Sequence, residues 1–220
     1  MKVAEIHAEL ERLEDEGKSL FVTSSFQTHS IPLLHIVASS GRNIPVYSLN
    51  TGFLFPETLA FRDQLMDTLG IVIHDIFSDT PKHQQRDVSG NFFFTSNPDY
   101  CCHLNKVQPT ARLLDKYDVW VNGVRADQNA NRSRMLVFQN TGQKAQRFHP
   151  MLDWTIQDIY AYIRQYNLPK HPLDAQGYTS IGCEPCTRKA SLDDPREARW
   201  FGMNKTECGL HTDLVENTNP

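Results

Sequence analysis

The chain has 220 residues, 40% of them hydrophobic and 22% charged, which suits a globular domain with a sizeable core. A formal net charge of −4 excludes a global basic field, so nucleic acid is not an expected partner and a small anionic ligand would need a local cluster of Lys and Arg. The amphipathic N-terminus has no signal-peptide core, no apolar run reaches membrane-span length, and an odd count of five cysteines argues against a disulfide framework, so the reducing cytoplasm is the expected location.

Val3, Ile6, Leu10 and Leu13 recur at helical spacing, and Gly17 is placed to end that helix. Residues 20–23 read as a short buried strand, followed by a polar turn over 24–30. A helix is expected over 32–38, a strand over 45–49, a helix from Pro56 to about residue 69, and a strand over 71–75. Strands alternating with helices imply crossover connections. The expected fold is therefore α/β, a mainly parallel three-layer sheet flanked by helices.

Residues 79–100 are polar and read as a mobile loop. The pair Cys101 and Cys102 opens the next helical stretch, to about residue 117, and a strand follows over 119–122. Segments 135–138 and 144–148 form an expected hairpin, and Thr155 with Asp158 forms a capping box ahead of Ile159, Tyr162, Ile163 and Tyr166. From residue 168 onward Pro, Gly, Asp and Arg dominate without periodicity, yet three of the five cysteines lie there. One domain is expected, with an α/β core over about 18–170 and a functional C-terminal arm over about 171–220.

Four cysteines form two close pairs, Cys101–Cys102 and the C-x-x-C of Cys183 and Cys186. Four thiolates satisfy either tetrahedral zinc or a [4Fe–4S] cubane. Adjacent ligands on a helix point about 100° apart, which a cubane with separate iron corners tolerates better than a single ion. Cys208 stands alone in a polar stretch, with Lys205 and His211 nearby to lower its pKa and Glu207 to oppose them, and is the candidate nucleophile.

Lys106 lies one helical turn beyond the cysteine pair. Arg125, Arg132 and Arg134 share one polar loop, and Arg188, Lys189, Arg196 and Arg199 follow the C-x-x-C. In an acidic chain this grouping points to a pocket for phosphate or sulfate. Ser24, Ser25, Thr28 and Ser30 follow the first strand, where α/β proteins place ligand loops, and Asn50, Thr51 and Gly52 follow the next. The Walker A pattern is absent.

The segments SLNTGFLFPET (48–58), CCHLNKVQP (101–109), GVRADQ (123–128), GYTSIGCEPCTR (177–188), REARW (196–200) and ECGLH (207–211) together resemble the assimilatory sulfonucleotide reductases, in particular the iron–sulfur type acting on adenosine 5′-phosphosulfate (APS). The resemblance implies an adenine-nucleotide α-hydrolase-like fold. It also implies a [4Fe–4S] cluster on Cys101, Cys102, Cys183 and Cys186, with Cys208 as nucleophile. Lys106, Arg196 and Arg199 match positions that hold the phosphosulfate, while Gly123 and Leu49, Thr51 and Gly52 match the adenosine pocket, with Arg125 near the ligand. The turn after the first strand departs from the family form S-x-S-G-A-E-D, reading SFQTHS over 25–30. Thioredoxin is the implied electron donor, expected as a separate protein because the chain carries no thioredoxin-like region, and family members commonly self-associate. The rival readings are a reductase for the 3′-phosphorylated nucleotide (PAPS), an adenylating enzyme of the same fold, which would want a Ser-Gly-Gly-x-Asp-Ser loop, and a non-catalytic zinc or cluster module.

Overall fold

The strand Leu20–Ser24 (β1) alternates Leu20 and Val22 toward one side with Phe21 toward the other, and all three are buried. A strand apolar on both faces belongs at the centre of a covered sheet. In the computed structural model, which describes residues 1–189, 198–203, 205, 207–212 and 214, β1 pairs in parallel with Val46–Leu49 (β2) and Val119–Val121 (β4). Ile73–Ile76 (β3) extends the sheet beyond β2, and Gln146–Phe148 (β6) runs parallel to β4. Phe138–Asn140 (β5) closes the edge antiparallel to β6, giving the order β3-β2-β1-β4-β6-β5.

Helices Val3–Asp15 (α1), Ile31–Ser39 (α2), Pro56–Leu69 (α3) and Ile156–Gln165 (α7) contribute Ile6, Leu34, Leu65 and Ile163 to a core with Val22, Val46 and Val121. On the opposite face, Phe21 and Trp120 pack with Leu113 and Leu114 of Gln108–Lys116 (α6). The expected three layers are present. The order reverses between β1 and β4, so their C-terminal loops open a crevice there.

Four boundaries differ from the sequence reading. The third strand begins at Ile73, because Gly70 ends α3 in the left-handed conformation (φ 63°) and the Ile71 amide turns back to the Met66 carbonyl at 3.2 Å. The 79–100 stretch is not a plain loop, since it folds the short helices Phe93–Ser96 (α4) and Pro98–Cys102 (α5), the second capped by Asn97 accepting from the Tyr100 amide at 3.0 Å. The cysteine pair ends α5 rather than opening a helix, and the chain passes through a π-helical turn, His103–Val107, into α6. Pro109 explains the widening: it has no amide proton and its ring crowds the carbonyl four residues back, at Asn105. The hairpin pairs Phe138 with Phe148 and Asn140 with Gln146, so residues 135–137 precede its first strand.

The bottoms of β1 and β4 are clasped by Asp118, whose carboxylate accepts from the Ser19 amide at 2.9 Å and hydroxyl at 2.6 Å. Those two bonds, aided by Lys144, pull the Asp118 carboxyl down to about 2. A carboxyl lowered on folding stabilises the native state above its unfolded value of about 4, and that contribution is lost as pH falls through about 2. Denaturant midpoints measured from about pH 5 to about pH 2 should therefore fall more steeply in the wild type than in Asp118→Asn.

Candidate active site

Two distant segments meet below the crevice. The Leu54–Cys183 backbone bridge and the Glu184 amide donating to the Phe53 carbonyl at 2.7 Å bring the C-x-x-C against the loop after β2. There Cys183 and Cys186 face Cys101 and Cys102 across one cavity, also lined by Thr51, Asn105, Lys106, Phe53, Phe94 and Trp200. The Asn105 side-chain amide donates to the Cys101 carbonyl at 2.9 Å and to its sulfur at 3.6 Å, and the Thr51 hydroxyl lies 3.2 Å from the Cys183 sulfur. Burial, reinforced by Cys183 and Cys186, pushes the Cys101 thiol up to about 11. A hydrogen bond from Cys208 and the charge of Lys106 outweigh burial at Cys102 and pull it down to about 6. Lys106 is itself half-buried, and desolvation opposes its charge, but Cys183, Cys208 and Cys102 more than compensate and raise its pKa.

Beside this cavity lies a cleft of about 670 Å³, the size of a nucleotide pocket, at the C-terminal ends of β1, β2 and β4. Ser24, Ser25, Leu49, Gly123, Arg125, Lys106, Arg199 and Cys208 all line it. Thr51 lines the cysteine cavity instead, and the Gly52 carbonyl accepts from Lys82 at 2.8 Å. Arg134 is exposed, while Arg188 lies over the Phe201 ring and Lys189 over the Tyr178 ring, so these three do not reach the cleft. Arg196 lies outside the described residues.

The β1–α2 turn that borders the cleft is shaped by Phe26, a non-glycine residue at φ 56° held there by burial of its ring in the core. Gln27 accepts from the Ile181 amide at 2.9 Å, and Thr28 donates to Asp174, so the turn is tied to the C-terminal arm at two points. Arg199 reaches back over Gly182, donating to the Ile181 carbonyl at 3.2 Å. A Cβ on Gly182 would stand 2.5 Å from that guanidinium, so only glycine admits it there.

Cys208 is positioned by its neighbours. Glu207 receives a two-pronged contact from Arg132, at 2.8 and 2.9 Å, and a third bond from Asn129 at 2.7 Å, while the Cys208 amide donates back to it at 2.9 Å. Burial opposes ionisation of Glu207, but Arg132 outweighs it and holds the carboxyl below its ordinary range. Its charge is therefore spent on Arg132. Beyond Cys208, Arg147 donates to the Leu210 carbonyl at 2.9 Å and to His211 Nδ1 at 2.7 Å. Burial, with Arg132 and Arg147 nearby, drives the His211 pKa well down, so the ring is neutral and carries its proton on Nε2. The Cys208 thiol is held well above its ordinary value, because its proton is shared with Cys102 and the side chain is buried, with Lys106 opposing.

Sequence reasoning missed Arg147, the Arg132–Glu207 pair and Asp174. An arginine next to Phe148 in the short strand QRF was the one available signal, since a charge at a buried strand position needs a specific partner. Arg132 was noted only as part of a basic loop, and Glu207 only as an opponent of the thiolate.

Residues 19–189 match the phosphoadenosine phosphosulfate reductase domain family. The chain is 40% identical to an adenosine 5′-phosphosulfate reductase of Chelativorans sp., covering 93% of this chain and 83% of that one. It is 38% identical to the protein of that name from Mesorhizobium japonicum, covering 94% and 84% of the two chains. A phosphoadenosine 5′-phosphosulfate reductase of Gloeobacter violaceus is 36% identical over 89% of this chain and 83% of its own. Among solved structures, the PAPS reductase of Candida auris in its phosphate complex superposes with a TM-score of 0.68 at 18% identity, covering 81% of this chain and 87% of that one, which shows the shared fold. The chain therefore belongs to the phosphoadenosine phosphosulfate reductase domain family.

Proposed function

We propose that this protein reduces adenosine 5′-phosphosulfate to sulfite and AMP, with Cys208 as the nucleophile and a separate dithiol protein of the thioredoxin type as the reductant. One observation carries the reading. Cys208 lines the cleft together with Lys106 and Arg199, two cations without a carboxylate partner among the described residues. A thiol beside paired cations fits attack on the sulfur of a phosphosulfate. The APS reductases of Chelativorans and Mesorhizobium support the same substrate.

Cys208 loses its thiol proton to solvent, and the thiolate forms a bond to the sulfate sulfur while the bond from that sulfur to the bridging phosphate oxygen breaks. AMP leaves with the electron pair, and a Cys–S–SO₃⁻ adduct remains. Lys106 and Arg199 offset charge on the sulfate and the leaving phosphate, and Arg125, whose Nη1 is buried without a protein partner among the described residues, is available to the nucleotide. An external thiolate then attacks Cys208 Sγ and displaces sulfite as a mixed disulfide forms. The donor's second thiol resolves that disulfide, so the donor is oxidised as the sulfate sulfur is reduced.

Cys101, Cys102, Cys183 and Cys186 are the residues that would hold a [4Fe–4S] cluster. The donor set fits it: four thiols line one cavity, and the Asn105 side-chain amide donates to the Cys101 sulfur at 3.6 Å. When bound, the cluster would fix these thiolates as anions near Lys106 and so shape the charge of the pocket. A cytoplasmic setting suits such thiols, and among the described residues no helix is long and apolar enough to cross a membrane.

Three outcomes test this reading. Cys208→Ser should retain iron and sulfide but form no APS-derived sulfonate by mass spectrometry; turnover by this variant would sink the assignment. Gly182→Ala should displace the Arg199 guanidinium and raise KM for APS roughly tenfold, with circular dichroism unchanged and Arg199→Ala showing the same defect. Arg132→Ala leaves Glu207 buried without its cation, so it should lower stability by about 2–3 kcal/mol and cut kcat, whereas Arg134→Ala should do neither.

A further inference from the structure

Charge is distributed unevenly along the cleft. Of its four described arginine and lysine side chains, Arg132 is held by Glu207 at 2.8 Å and Arg125 by Asp127 at 2.9 Å. The remaining two, Lys106 and Arg199, flank the cysteine end with Cys208. Against the β1–α2 turn stands a carboxylate, Asp174, which lines the cleft and makes no ion pair among the described residues.

The orientation of Asp174 is set by its partner. The buried Thr28 hydroxyl accepts from the His171 amide at 2.9 Å, so its own proton goes to Asp174, which therefore presents an acceptor. Burial pushes the Asp174 carboxyl up, and the Thr28 hydrogen bond and the charge of Lys170 offset part of that. His29 is neutral, because burial pulls it down to about 4, aided by Arg125. Lys170 is exposed and rests over the Tyr160 ring, 5.5 Å from its centre, where solvent screens it.

A nucleotide anchored by its phosphosulfate beside Cys208, Lys106 and Arg199 would extend into the rest of the cleft, which this turn and Asp174 border. We propose that Asp174 determines specificity here: its carboxylate accepts a hydrogen bond from a free ribose hydroxyl and repels a ribose that bears a phosphate. The inference rests on the sulfonucleotide reading and deepens it. The same group rewards the hydroxyl and penalises the phosphate, which is discrimination by attraction and repulsion together.

The test compares AMP with adenosine 3′,5′-bisphosphate by calorimetric titration of the holoenzyme, alongside reduction of APS and PAPS. Wild-type protein should favour AMP and APS. Asp174→Asn and Asp174→Ser should shift the affinity ratio toward the bisphosphate by roughly tenfold, while Asp174→Glu should keep the wild-type preference. A structural role through Thr28 alone would weaken both ligands equally, and an unchanged ratio in the neutral variants would overturn the proposal. Equal binding of both ligands by the wild type would overturn it without any variant. Failure of the wild type to reduce either nucleotide would instead overturn the reductase reading, so the two failures are distinguishable.

Discussion

The site depends on one half-buried lysine. Lys106 lines both the cysteine cavity and the cleft, so the two share a wall through a single side chain. A desolvated cation is costly unless anions surround it, and the sulfurs of Cys102, Cys183 and Cys208 are the neighbours that raise its pKa. Each side therefore needs the other: anionic sulfur keeps Lys106 charged, and Lys106 draws the Cys102 thiol down. Under the proposed function this couples metal-binding thiolates to the group that receives the sulfate. The cluster then need not exchange electrons to matter.

Two further devices bring the nucleophile to that wall. The Arg132–Glu207 pair and the Arg147 contacts to Leu210 and His211 grip the residues on either side of Cys208. Both arginines come from the half of the chain around β5 and β6, so that edge of the sheet is an anchor for the C-terminal arm. On the other side, Gln27 and Thr28 hold the arm at Ile181 and Asp174. The arm thus closes the cleft by contacts to both β1–α2 and β4–β5 connections.

The parts of the fold visible in the sequence were those set by short-range pattern. Leu20–Ser24 and Val46–Leu49 are apolar runs of strand length, Pro56 and Gly70 bracket α3, and Thr155 with Asp158 caps α7 through bonds of 2.7 and 3.2 Å. The five cysteines and Lys106 were legible because few chemistries use that spacing. What stayed hidden depends on partners far along the chain. Helices α4 and α5 are short, held by the Asn97 cap and by packing of Phe93 on Tyr100, with ring centres 4.9 Å apart. The pairing of Arg132 with Glu207 spans 75 positions, and that of Thr28 with Asp174 spans 146, so no local pattern announces either.

The central claim is that Cys208 takes the sulfonate from the nucleotide. The most direct measurement is peptide mass spectrometry of the wild-type enzyme after incubation with APS in the absence of any thiol. The account predicts one sulfonate per chain, carried on Cys208, formed with release of an equal amount of AMP and discharged as sulfite when a dithiol protein is added. Sulfonate on another cysteine, or AMP and sulfite released together without any adduct, would contradict it.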